Sequence, residues 1–157
     1  MSSGTQGIPD IPGSDDYDFV ICGENQVPVE YTIDLENCIV KTHCRGIVTA
    51  RDISELSSKL AKDSRFAPRF SEVVTFADNC NLQMGFLDFR AVSTLDPFSN
   101  SSRRALVIGS RGALYGLARM FQTARSENPN IRIMEKFEDA LNWLSQKEQT
   151  QADSHHA

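Results

Sequence analysis

Five arginines, Arg103, Arg104, Arg111, Arg119 and Arg125, fall between Pro97 and Ser126, a stretch without aspartate, glutamate or lysine. A guanidinium presents N–H donors in a planar fork, so such a cluster suits carboxylates and phosphates. Ser110, Arg111 and Gly112 stand where the apolar run ALVI gives way to an amphipathic segment. That junction reads as a strand end meeting a helix N-terminus, where free backbone N–H groups and the helix dipole favour an anion. In open α/β sheets this edge is also where ligands bind. Arg111, Tyr115 and Arg119 follow at i, i+4 and i+8 and share one helix face. A phosphate, a phospholipid headgroup or an acidic partner segment is what this set would recognise. The structural alternative is that the arginines are solvated or paired with the chain's own carboxylates. Arg103 and Arg104 open a strand, so they point to opposite faces, and at most one joins the set.

A second candidate group is apolar. Met84, Phe86, Leu87, Phe89 and Phe98 gather around a short helical pattern and either line an apolar pocket or fill the core. Catalytic signatures are lacking: no GxSxG, no HExxH and no nucleophile with a base nearby in sequence. His43 shares strand parity with Lys41 and Arg45 and has no evident partner. Asp34, Glu36, Asp52 and Asp88 show no spacing that argues for acid–base work. Gly109, Gly112 and Gly116 are spaced GxxGxxxG, which is neither the dinucleotide fingerprint nor a P-loop. Cys22, Cys38, Cys44 and Cys80 form no CxxC, and two of the three histidines close the chain, so no zinc pattern is complete. The expectation is a protein without enzymatic activity, metal or cofactor.

The net charge of −5 sits in residues 1–28, which hold five acidic residues and no Lys or Arg. The rest is formally neutral, which argues against a nucleic-acid-binding surface. The opening MSSGTQGIPD lacks the basic start and apolar run of a signal peptide. No segment reaches the ~20 apolar residues needed to span a bilayer. A cytoplasmic protein with reduced thiols is expected.

The pattern predicts an α/β fold: a mixed, mostly parallel sheet with crossover helices in the order ββαβαβαβα. Val29–Leu35 and Cys38–Arg45 read as a hairpin, with the first strand antiparallel at or near an edge. Thr49 and Asp52 form a capping-box-like helix start, followed by an apolar face of Ile53, Leu56, Leu60 and Ala61. Further strands are expected at Glu72–Asp78, Arg103–Gly109 and Ile131–Glu135. Helices are expected over Leu82–Leu95, with Met84, Leu87, Ala91 and Leu95 on one face, and over Ala113–Ser126. A last helix would use Phe137, Ala140, Leu141 and Leu144 as its apolar face. The domain spans 29–146, between an acidic, largely disordered tail at 1–28 and a polar tail at 147–157. Tyr17–Cys22 is apolar enough for a short strand within the first tail.

Several of these stretches resemble the bacterial SpoIIAA-like proteins, described as STAS/SEC14-type domains. The shared text is G-x-V-T-x-x-D (Gly46, Val48, Thr49, Asp52), DPFSNSSRRA (Asp96–Ala105), YGLARMF (Tyr115–Phe121) and A-L-x-W-L (Ala140–Leu144). The resemblance covers about residues 29–146 and implies a mixed sheet with helices packed on it. By analogy with STAS domains it implies a regulatory, protein-binding module. By analogy with SEC14 domains it implies a carrier of a lipid-like or anionic ligand, here in an apolar crevice with an arginine-lined mouth. STAS antagonists carry a phosphorylatable Ser after an Asp at a strand-to-helix turn. The matching turn, Asp78-Asn79-Cys80-Asn81, has no Ser. Cys80 would be a redox handle there if a helix N-terminus lowered its thiol pKa. The first expectation is thus a partner-binding module, a homodimer included, with ligand carriage as the alternative. A continuous crevice below Phe86–Phe98 favours the ligand. A filled core with an exposed apolar helix patch favours the partner.

Overall fold

Residues 27–146 are described by the computed structural model. The strand expected at Tyr17–Cys22, and both tails except Val27 and Pro28, lie outside them. β1 (Val29–Asp34) and β2 (Ile39–Cys44) form the antiparallel hairpin, with Val29 opposite Cys44 and Asp34 opposite Ile39. The turn closes because the Asp34 carboxylate accepts the backbone N–H of Asn37 at 3.1 Å and its side-chain amide at 2.8 Å. Those bonds hold the Asp34 pKa below its ordinary value.

The short strand β3 (Ile47–Val48) precedes α1 (Ala50–Lys62). β4 (Ser71–Phe76), the short β5 (Asn81–Leu82) and α2 (Phe86–Ser93) come next. β6 (Arg104–Val107), α3 (Gly112–Ala124), β7 (Ile131–Met134) and α4 (Phe137–Ser145) complete the order. The main sheet has five strands in the order β1-β2-β4-β6-β7, and β3 pairs with β5 in a separate two-stranded ladder. Only the β1–β2 pair is antiparallel within the main sheet, and β1 is its edge. The fold is α/β with a mixed, mostly parallel sheet, as the alternation predicts.

Strand parity divides the core. Val40, Val74, Leu106 and Ile131 project to the face covered by α1 and α3 through Leu56, Leu60, Leu114 and Ala118. Ile39, Val73 and Ala105 project to the other face, which α4 covers with Ala140 and Leu144. α2 touches the first layer through Phe89 and Val92, packed against Ile53 of α1 and Leu117 and Phe121 of α3.

Differences from expectation are local. α2 is shorter than Leu82–Leu95, because Leu82 is taken into β5 and the helix starts where Gly85 N–H meets the Asp88 carboxylate at 2.9 Å. Its buried face is Phe89 and Val92, while Leu87, Ala91 and Leu95 are exposed. Ala61 and Phe137 are also exposed.

Candidate functional site

Glu72 is the second residue of β4 and Arg104 opens β6, and the two are partners in the parallel register. Equal register puts both side chains on the face under α1–α3. Both are buried. Arg104 donates from Nε at 3.0 Å and from Nη2 at 2.7 Å to Glu72 Oε1. The Thr42 hydroxyl, on the neighbouring strand β2, donates to Glu72 Oε2 at 2.7 Å. Arg104 Nη1 donates to Asp96 Oδ2, while Asp96 Oδ1 accepts the Phe98 N–H at 3.1 Å and shapes the loop after α2. Arg125 Nε stands 3.3 Å from Asp96 Oδ2, and Arg125 Nη1 donates to Glu127 at 2.6 Å. The Arg104 guanidinium also lies over the Phe98 ring, 4.4 Å from its centroid, a cation–π geometry. Burial opposes its charge, but the adjacent Glu72 and Asp96 carboxylates prevail and raise its pKa.

Thr42, Glu72, Asp96 and Arg104 of this network floor a cavity of about 110 Å³ between the sheet and the three helices. Its walls are apolar: Leu56 and Leu60 from α1, Phe89 and Val92 from α2, Leu117 and Phe121 from α3. Met84, Phe89 and Phe98 of the apolar candidate group line it and are buried. Phe86 and Leu87 instead lie towards solvent, 38% and 76% exposed.

Of the arginine cluster, Arg104 and Arg125 meet on Asp96, while Arg103, Arg111 and Arg119 do not join them. Arg111 donates to the carbonyls of Phe76 at 2.9 Å and Ala77 at 2.7 Å. It therefore ties the start of α3 to the end of β4. Gly112 is the first residue of α3, and Ser110 and Tyr115 are exposed beside it. Arg119 donates to Gln122 Oε1 at 3.0 Å. Arg103 points to the opposite face from Arg104 and caps α4 through the carbonyls of Trp143 and Gln146, in accord with cations stabilising helix C-termini.

His43 lies on the α4 side of the sheet, its Nδ1 2.7 Å from Thr75 Oγ1. Burial, with Arg45 acting in the same sense, lowers its pKa. The turn at Cys80 leads into β5 and not into a helix, so no helix dipole acts on the thiol. Burial raises its pKa against the opposing charge of Arg111. Cys38, Cys44 and Cys80 are free. Among the described residues no three His, Cys, Asp or Glu are grouped to hold a metal, and no helix is long and apolar enough to cross a membrane.

No family model, curated protein or solved structure matches the chain.

Thr42, Glu72 and Asp96 are the residues that sequence reasoning missed, and Arg104, named within the arginine cluster, was not paired with them. A signal existed in that Glu72 and Arg104 are opposite charges near the starts of two apolar strands. Charges are expensive to bury alone, so two such positions invite pairing.

Proposed function

We propose that this domain is a small-molecule-binding module whose ligand sits between the sheet and α1–α3. The cavity carries this reading. It is partly open to solvent and has about 110 Å³, several times the ~30 Å³ that a water occupies in the liquid. Apolar walls over a small polar floor are the usual make-up of a ligand site. The SEC14 side of the SpoIIAA-like resemblance supports the same reading, since the YGLARMF segment supplies Leu117 and Phe121 to the wall. The volume suits a single ring or a short branched chain, being well below the ~300–1,000 Å³ of drug-sized sites.

A separate observation favours a partner-binding surface: Leu87 and Leu95, on and just after α2, are 76% and 57% exposed. Titration with benzene, followed by methyl NMR, decides between the two. Shifts at Val92, Leu106 and Leu117 support the ligand site. No shift at any of the three, at saturating benzene, removes it and leaves the partner surface.

A further inference from the structure

We infer that the ligand is uncharged and carries one group that both accepts and donates a hydrogen bond, such as a hydroxyl or primary amide on a small apolar body. This inference rests on the ligand-binding reading above and specifies its chemistry.

The floor is charge-balanced. Glu72, Asp96 and Arg104 line it, Arg125 stands behind Asp96 outside the lining, and all four side chains are at most 7% exposed. An anionic head entering here would meet two carboxylates, Glu72 and Asp96, against the one guanidinium of the lining, Arg104, which is already paired with both. A cationic head would meet the Arg104 guanidinium and two carboxylates that Arg104 and Arg125 already neutralise. Either leaves an unmatched charge in an apolar surrounding, which is costly.

Neutral polar groups fit the remaining valences. Arg104 commits Nε, one Nη1 N–H and one Nη2 N–H to Glu72 and Asp96, which leaves one N–H on each terminal nitrogen. Glu72 Oε2 accepts only the Thr42 hydroxyl among the hydrogen bonds of the described residues, so a lone pair is left there. A hydroxyl can accept from Arg104 and donate to Glu72 at once. An apolar analogue satisfies neither group.

Size is set by the walls. A cavity of about 150 Å³ holds benzene, and this one, at about 110 Å³, belongs to that class. Phe89, Phe98 and Phe121 present ring surfaces to the space, which suits a flat or branched body.

The test uses four probes of nearly one shape on the full chain: benzyl alcohol, benzoate, benzylamine and benzene, each titrated at pH 7 by NMR. Benzyl alcohol is expected to bind at least tenfold tighter than benzoate and benzylamine, with shifts at the Thr42 and Arg104 backbone amides that benzene does not produce. Benzoate or benzylamine binding as tightly as the alcohol, or benzene matching it, overturns the neutral-head inference while the ligand site stands. Silence from all four overturns both.

Discussion

Arg104 holds Oε1 of Glu72 through two of its N–H groups, at 2.7 and 3.0 Å, across adjacent parallel strands. The pair sits on the face of the sheet covered by α1–α3, with almost no solvent. Its partners, Thr42 and Asp96, attach it to β2 and to the loop after α2. One ion pair therefore links three strands and the segment that covers the cavity.

Replacing Arg104 by Met leaves the Glu72 carboxylate buried without its cation. The expected cost is about 3–5 kcal/mol, read by urea unfolding. The double variant Glu72→Met with Arg104→Met removes both charges and should recover a large part of that loss. A loss under about 1 kcal/mol in the single variant would mean that water reaches the pair.

At the start of α1, Thr49 donates to Asp52 Oδ2 from its backbone N–H at 2.8 Å and from its hydroxyl at 3.0 Å. Substituting Asp52 by Ala removes both bonds and the acidic charge of the first turn. The expected cost is about 1 kcal/mol, with no change in the urea m-value. An unchanged unfolding midpoint would show that water replaces the cap fully.

How much of this was legible in the chain follows from the range of the interactions. The TxxD cap and the apolar stripe of the Ala113–Ser126 segment, Leu114, Leu117, Ala118, Phe121 and Ala124, are local features, and they mark α1 and α3 correctly. α2 was misphased because Met84 and Leu87 mimic a helical repeat, whereas Met84 precedes the helix and packs beside Phe89 and Val92. The arginine cluster looked like one site because five like charges are close in sequence. Only Arg104 and Arg125 meet, on Asp96; Arg103 is turned away by strand parity and Arg111 is held by the Phe76 and Ala77 carbonyls. Those partners lie on other strands and loops, where no local pattern registers them.

His43 makes stability depend on pH in a predictable sense. Its folded pKa lies below the unfolded value of 6.5, chiefly through burial. Below pH 6.5 the unfolded chain takes the proton more readily than the folded one, so the contribution present at neutral pH is lost as pH falls. Denaturant midpoints at pH 7.5 and pH 5 should therefore differ less in a His43→Gln variant than in the parent. Equal differences in both proteins would exclude His43 as the titrating group.

Cys80 should be a slow thiol at neutral pH. Burial raises its pKa from the ordinary 9.0, and only Arg111 opposes that. The thiolate is the reactive form, so alkylation by iodoacetamide at pH 7.5 should be slower than for a free cysteine and should accelerate as pH rises. Arg111→Gln removes the opposing charge and should slow it further. Alkylation at the free-cysteine rate would restore the redox proposal for this turn.

The cavity itself can be filled from α3. Ala118 is buried and lines the space, and Leu has a helix propensity close to that of Ala. Ala118→Leu adds three carbons that gain about 0.8 kcal/mol each if they enter open volume. Overpacking elsewhere in a core costs about 1–3 kcal/mol. The two terms nearly offset, so stability should change by less than about 1.5 kcal/mol while benzene and benzyl alcohol lose their binding. Destabilisation beyond about 3 kcal/mol, with probe shifts intact, would place the open volume away from residue 118 and move the ligand site towards the Phe89 and Val92 side.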